Sequence, residues 1–200
     1  MCGIIGYVGR ENAVPVMLDG LRRLEYRGYD SAGMALINGG EIEIRKCSGR
    51  IDNLKSLLEK KSVHGKTGVS HTRWATHGPP TDENAHPHLD GSGQLALVHN
   101  GVIENYQSLR EEMEADGHTF LSQTDSEVLA HLVGRKYDEQ TSGGSREKLV
   151  KAIRAALREV KGTYGIAVVH TDAPDFMVGA RLGSPLVVGL GKSENFIASD

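Results

Sequence analysis

Residues 1–8 read Met1-Cys2-Gly3-Ile4-Ile5-Gly6-Tyr7-Val8, and this stretch is the strongest indication of the fold. Removal of Met1 would leave Cys2 with its thiol and a free α-amine on one carbon skeleton. A thiol is a nucleophile and an α-amine titrates at about 7.7–8.0, so one residue would supply both nucleophile and base. The apolar run Ile4–Val8 predicts a buried strand that holds this end of the chain. The alternative is that Cys2 is a small buried hydrophobic residue, as free cysteines commonly are.

The composition fits one domain or two closely packed ones. The chain has 200 residues, of which 38% are hydrophobic and 25 are glycine, so it can bury a sizeable core. Its 23 Lys and Arg against 26 Asp and Glu give a net charge of −3, which argues against nucleic-acid binding. Cys2 and Cys47 cannot form a disulfide framework, and no signal peptide or membrane-spanning run is visible. We therefore expect a reducing cytoplasm and no membrane.

Hydrophobic periodicity predicts an α+β fold with mostly antiparallel sheets. Helices are expected at residues 12–26, 51–61, 102–116, 125–137 and 146–160. Strands are expected at residues 4–8, 34–37, 42–44, 68–73, 95–99, 164–170, 175–181, 185–190 and 195–198, with a loop at 27–33. A hairpin turn at Asn38-Gly39-Gly40 and a capping box at Thr124-Asp125-Ser126-Glu127 support these bounds.

A polar loop follows the strand predicted at 68–73. Arg73 at the strand end can grip a carboxylate with two parallel hydrogen bonds, and Thr76 adds a hydroxyl. Trp74 could cover a site as a hydrophobic lid. The alternative is that Arg73 is a surface charge and Trp74 a core residue.

Two further groups complete a chemical set. The side-chain amide of Asn100 with a backbone N–H at Gly101 is what an oxyanion hole requires, although Asn-Gly is also a common turn dipeptide. Asp125 opens a predicted helix, where a negative charge is stabilising, and it could also bind an amine. With the thiol and Arg73, this set fits a free α-amino acid whose side chain carries a carbonyl, and acyl transfer through a thioester.

Five of the nine histidines lie between residues 71 and 99. No cysteine lies among them, and the carboxylates nearby follow no known ligand spacing. We expect no metal site, and polar loop packing for most of these histidines.

Several motifs resemble the class II glutamine amidotransferase family, in particular the glutaminase domain of its members that aminate fructose 6-phosphate. They are Met1-Cys2-Gly3-Ile4-Ile5-Gly6, Tyr26-Arg27-Gly28-Tyr29-Asp30-Ser31-Ala32-Gly33, His71-Thr72-Arg73-Trp74-Ala75-Thr76-His77-Gly78, Asn84-Ala85-His86-Pro87-His88 and His99-Asn100-Gly101-Val102-Ile103-Glu104-Asn105. The similarity extends to the segments 184–187 and 195–200. The resemblance implies a four-layer αββα N-terminal-nucleophile hydrolase sandwich, with Cys2 as nucleophile, its α-amine as base, and Asn100 and Gly101 as the oxyanion hole.

The resemblance also implies the substrate-binding residues. Arg73 and Thr76 would hold the glutamine carboxylate with His77 beside them, and Asp125 would hold the α-amino group. Trp74 would belong to a mobile loop that covers glutamine and gates ammonia passage. The nucleophile would have two neighbours, Arg27 and Gly28.

Residues 1–200 are accordingly expected to form a glutaminase domain, truncated at its C-terminal end and without the sugar-isomerase domains of the family. The implied partners are L-glutamine and, only through those absent domains, fructose 6-phosphate, in a homo-oligomeric full-length enzyme that uses no cofactor. One alternative is a class II amidotransferase with another acceptor. The other is a non-catalytic amino-acid-binding regulatory module, which would keep Arg73 and Asp125 but need no free Cys2.

Overall fold

The computed structural model describes residues 2–75 and 78–200, and of Arg27 the backbone alone. The strands are β1 (Gly3–Val8), β2 (Ser31–Asn38), β3 (Glu41–Ser48), β4 (Thr67–Arg73), β5 (His88–Leu89), β6 (Leu95–Ile103), β7 (Gly162–His170), β8 (Met177–Leu182), β9 (Val187–Leu190) and β10 (Asn195–Ala198). The helices are α1 (Ala13–Leu24), α2 (Ile51–Lys60), α3 (Tyr106–Ala115), α4 (Asp125–Asp138) and α5 (Ser145–Glu159), with a 3₁₀ turn at Glu25–Arg27.

These strands form two antiparallel sheets. One has six strands in the order β3-β2-β4-β1-β10-β9, so the N-terminal strand lies in its interior. The other has four strands in the order β5-β6-β7-β8. A strand with two neighbours has its backbone groups hydrogen-bonded on both sides. Because Cys2 directly precedes β1, this pairing holds its position.

Three apolar cores separate four layers. Helices α1 and α2 pack on the outer face of the six-stranded sheet, and α3, α4 and α5 pack on the outer face of the four-stranded sheet. The inner faces pack against each other through residues such as Ile4, Val69 and Val98. Because side chains alternate along a strand, Ile5 faces the helices while Ile4 faces the other sheet. The predicted α+β αββα arrangement with mostly antiparallel sheets is confirmed.

Two sequence-based expectations about local structure were wrong. The helix expected at 102–116 begins only at Tyr106, because β6 runs on to Ile103 and pairs with Gly162 of β7. The loop expected at 27–33 ends where β2 begins, at Ser31. In both places long-range strand pairing overrides the local pattern.

No helix in the described ranges, 2–75 and 78–200, is long and apolar enough to cross a membrane.

Candidate active site

The site lies between the two sheets, where three strands carry side chains on their inner faces. Residues two apart along a strand share a face. Cys2, His71 and Asn100 each lie two residues from an inner-core position, which is Ile4, Val69 or Val98 respectively. The pairing of Gly3 with Thr72 places Cys2 at the level of Arg73. The same periodicity that builds the inner core therefore ends in a row of polar, reactive groups.

The Cys2 thiol is held by the backbone of Trp74. The Trp74 N–H donates to Cys2 Sγ at 3.1 Å, and Sγ lies 3.6 Å from the Trp74 carbonyl oxygen. Burial raises the pKa of the Cys2 thiol, and the Trp74 N–H opposes that rise. A thiol with a raised pKa stays protonated near neutral pH, so Cys2 would need a base in order to act as a nucleophile.

Asn100, on the four-stranded sheet, is hydrogen-bonded to Cys2 and to His71 on the six-stranded sheet. Its Nδ2 donates to the Cys2 carbonyl oxygen at 3.0 Å, and its Oδ1 lies 2.9 Å from Nε2 of His71. Gly101 has φ 138°, and a Cβ atom there would overlap the carbonyl oxygen of Thr163, so the position demands glycine. Since both residues lie within β6 and pair with β7, the reading of Asn-Gly as a plain turn is wrong.

Arg73 is buried at the end of β4, with a relative exposure of 4%. Its Nη1 donates to the Pro79 carbonyl oxygen and its Nη2 to the Gly78 carbonyl oxygen, both at 3.2 Å. Burial lowers the pKa of the guanidinium, which still remains charged. The surface-charge alternative is therefore wrong for Arg73. The core alternative is wrong for Trp74, whose exposure is 56%.

Asp125 is the first residue of α4 and also reaches β6. Its Oδ2 accepts a hydrogen bond of 2.8 Å from the Ile103 N–H, which ties the helix start to the strand end. The Thr124 side chain accepts from the Glu127 N–H, as the capping box predicts. The Glu127 carboxylate reaches back further than that motif requires, to the N–H groups of Leu121 and Ser122.

A cavity of about 330 Å³ joins these groups. Its lining residues are Cys2, His71, Arg73, Trp74, His86, His99, Asn100, Gly101, Val102, Thr124, Asp125, Ser126, Ser184 and Pro185. Its volume is at the small end of the range for ligand pockets, which suits a small molecule.

The structure brings together six of the predicted site residues, which are Cys2, Asn100, Gly101, Arg73, Asp125 and Trp74. Gly28 lies beneath the indole of Trp74 and does not line the cavity: a Cβ there would come 2.7 Å from Cε3. Thr76 and His77, with the side chain of Arg27, lie outside the described residues.

Sequence reasoning missed the histidines of this cavity. His71 and His99 lie on strands and are buried, so polar loop packing was the wrong account of these two, whereas His86 lies in the loop before β5 and stacks on His71. The signal was available for His71, which alternates with Val69 and Arg73 on one face of a predicted strand. Among residues 2–75 and 78–200, no group of three His, Cys, Asp or Glu side chains is arranged to hold a metal ion.

Residues 71–200 match the family model described as "Glutamine amidotransferase domain". The chain belongs to this family. It is 51% identical over its full length to a protein of Aquifex aeolicus, 54% to one of Chlorobaculum tepidum and 53% to one of Thermus thermophilus. All three are named glutamine–fructose-6-phosphate aminotransferase [isomerizing], and the chain spans 32% of the length of each.

Solved structures agree on the fold. The glutamine phosphoribosylpyrophosphate amidotransferase from B. subtilis, complexed with ADP and GMP, superimposes with a TM-score of 0.80 at 29% identity. A structure described as the allosteric regulatory enzyme of purine biosynthesis gives 0.81 at 30% identity. Each match covers 99% of this chain and 42% of the other. The expected N-terminal-nucleophile hydrolase sandwich is thereby confirmed.

Proposed function

We propose that this chain hydrolyses L-glutamine to glutamate and ammonia through a thioester on Cys2. One observation carries the proposal: the Cys2 thiol, the Asn100 carboxamide, the Arg73 guanidinium and the Asp125 carboxylate all line a single small cavity. A thiol and an amide suit acyl transfer, and a cation with an anion suits the two charged ends of a free amino acid.

In the proposed mechanism, Cys2 Sγ attacks the side-chain carbonyl carbon of glutamine and passes its proton to the α-amine that removal of Met1 exposes. The resulting oxyanion accepts hydrogen bonds from Asn100 Nδ2 and the Gly101 N–H. Collapse of this intermediate breaks the C–N bond, and the leaving group takes the proton and departs as ammonia. Water then attacks the thioester, which releases glutamate and restores the thiol.

Recognition of glutamine is assigned to the charged groups at the cavity. Arg73 would bind the α-carboxylate and Asp125 the α-ammonium group, while Trp74, resting on Gly28, would cover the substrate. Thr76 and His77, with Arg27, stay in the proposal as substrate-binding residues on the strength of the motif alone.

The fate of the ammonia and the wider assembly are proposed from the relatives' names and from the sequence. Those names, and the 32% of each relative's length that this chain spans, support transfer to fructose 6-phosphate by further parts of the longer proteins, with residues 1–200 as a glutaminase domain. We also propose a homo-oligomeric whole enzyme in a reducing cytoplasm, where the Cys2 thiol would stay free.

The test compares two forms of the 200-residue chain, whose N-termini are verified by intact mass. We expect the form without Met1 to convert glutamine to glutamate, and the form that retains Met1 to be inactive because its amine is displaced from the thiol. Asparagine, one methylene shorter, is the control substrate. Binding of glutamine without turnover in the form lacking Met1 would instead identify a regulatory binding module. Equal rates from both forms would refute the role of the amine.

A further inference from the structure

The carboxamide of Asn100 has two ends of nearly the same shape. A half-turn of its terminal group exchanges the NH₂ and the oxygen with little change in packing. Only the NH₂ end can stabilise an oxyanion, because a carbonyl oxygen at the same place would repel the developing negative charge. An oxyanion hole built on asparagine therefore needs a neighbour that selects one orientation.

His71 meets the oxygen end of this carboxamide across the space between the sheets. Its Nε2, on β4, lies 2.9 Å from Oδ1 of Asn100, on β6. At the other end Nδ2 donates to the Cys2 carbonyl oxygen. In the flipped orientation two carbonyl oxygens would face each other at Cys2. The observed orientation therefore places a hydrogen on Nε2 of His71, because Oδ1 can only accept.

Burial keeps the His71 ring in the neutral form. The residue is 1% exposed, and burial lowers its pKa to about 3. A neutral ring carries one hydrogen, so Nδ1 is left as a bare acceptor. That Nδ1 is buried and has no hydrogen-bond partner in the part of the chain that the structure describes. An unsatisfied buried acceptor costs stability, which offsets part of what the hydrogen bond to Asn100 contributes.

The plane of the His71 ring is set by a second histidine. His86 stacks on it with ring centroids 4.2 Å apart and an interplanar angle of 16°. His86 is itself held, because its Nδ1 accepts a 3.3 Å hydrogen bond from the His99 N–H on β6. The stack restricts rotation of the His71 ring and keeps Nε2 directed at Asn100.

We propose that His71 is a positioning residue for the oxyanion hole: its Nε2–H holds the Asn100 carboxamide with the NH₂ end available to the substrate. The proposal rests on the proposed glutaminase function. His71 makes no bond to substrate and transfers no proton. Its effect passes through Asn100, which gives it a kinetic signature that a merely structural residue lacks.

The first experiment measures kcat and KM for glutamine with the form lacking Met1. We expect His71→Ala to lower kcat about 10- to 100-fold with KM within a few-fold, less than the ~10²–10³ for loss of an oxyanion donor itself. In an Asn100→Ala background the same change should lower kcat by no more than about 3-fold, because the group it orients is gone. Multiplicative losses in the double variant would overturn the proposal.

Conservative replacements of His71 test the same role more specifically, and they remain informative if His71→Ala does not fold. The amide nitrogen of glutamine reaches the place of Nε2, whereas that of asparagine reaches only the place of Nδ1. His71→Gln should therefore keep kcat well above that of His71→Asn, and equal kcat values would overturn the proposal. His170→Ala is the matched control: His170 is 2% exposed on β7 and lies outside the cavity lining, so this variant should lose stability and keep kcat.

A third measurement separates the oxyanion from the nucleophile. Alkylation of Cys2 by iodoacetamide displaces iodide and forms no oxyanion, so its rate should be the same in His71→Ala as in the parent. A fall in the alkylation rate as large as the fall in kcat would place the defect at the thiol and overturn the proposal.

A spectroscopic readout needs no activity at all. Nitrogen-15 NMR of the His71 ring should show a protonated Nε2 and a bare Nδ1 from neutral pH down to about pH 4, since the pKa is about 3. The opposite tautomer would overturn the proposal. A parent chain without glutaminase activity would refute the proposed function, and the tautomer would still decide whether His71 orients Asn100.

Discussion

The two sides of the cavity are built in different ways. On one side Asn100, Gly101 and Asp125, here called the buried wall, are held by hydrogen bonds inside the protein, with Asn100 9% and Asp125 3% exposed. On the other side Trp74 resting on Gly28, here called the cover, presents an indole that is 56% exposed. A buried network is costly to rearrange, whereas an exposed side chain on a loop moves easily. The difference suggests that the oxyanion donors of the buried wall, Asn100 and Gly101, govern kcat, whereas Asp125, Arg73 and the cover, which would hold the substrate, govern KM.

The largest effect is expected at Cys2, which lies between the buried wall and the cover. Cys2→Ala should reduce glutamine turnover to the assay background, since no other group at the cavity can form the thioester. A glutamine analogue with an electrophilic side chain should label Cys2 and leave Cys47 unmodified, as read by peptide mass spectrometry. Label at Cys47, which lies on β3, would show that the cavity is not the reactive site.

The next largest effect tests the buried wall. Asn100→Ala removes one oxyanion donor, so kcat should fall by ~10²–10³, on the order of 3 kcal/mol in transition-state stabilisation. Circular dichroism must show that the variant is folded.

Asn105→Ala is the matched control for Asn100→Ala. The side chain of Asn105 also makes two hydrogen bonds, to the Glu159 carbonyl oxygen and the Lys161 N–H, but lies outside the cavity lining, so kcat should not change. A folded Asn100→Ala variant with kcat within a few-fold of the parent would remove Asn100 from the mechanism.

The charged groups should show a smaller effect, mainly in KM. Asp125→Asn keeps an oxygen for the Ile103 N–H but removes the charge, and Arg73→Lys keeps the charge but loses the planar fork. Loss of one charged hydrogen bond is worth about 1.5–3 kcal/mol, so KM should rise roughly 10- to 100-fold. Steady-state kinetics on both variants check this. A loss confined to kcat would mean that these residues do not hold the ground-state substrate.

The smallest effect is expected at the cover. Gly28 has φ 114° and ψ 152°, a region that essentially only glycine adopts, so Gly28→Ala strains the backbone by about 1–3 kcal/mol and also pushes against Trp74. Gly117→Ala is the matched control, because Gly117 has φ 93° and an added Cβ there would meet no atom within 4 Å. Both variants should lose stability on thermal unfolding, but only Gly28→Ala should raise KM, by a few-fold. Equal KM values for the Gly28→Ala and Gly117→Ala variants would show that Gly28 does not contribute to substrate binding.

The sequence predicted which residues form the buried wall better than it predicted their secondary structure and contacts. Asn100 and Asp125 were selected because their chemistry suits an oxyanion and an amine. Yet Asn100-Gly101 also fitted a turn, and only pairing with β7 shows that the pair lies inside a strand. His71 was visible as a histidine on a strand, but its bond to Asn100 joins different sheets, and no local pattern encodes such a contact.

The order of amino acids was enough to propose the reactive groups from their chemistry and to predict which faces of the strands are buried. Alternation along the strand predicted at 68–73 puts His71 on the same face as Val69 and Arg73, because successive side chains point to opposite sides of a strand. What those faces meet depends on the packing of the folded chain. The Asn100 side chain reaches the carbonyl of Cys2 across a separation of 98 residues, through the packing of one sheet on another. Periodicity predicts that a face is buried, but long-range packing decides what that face contacts. The contact between His71 and Asn100 is therefore visible only in the folded chain.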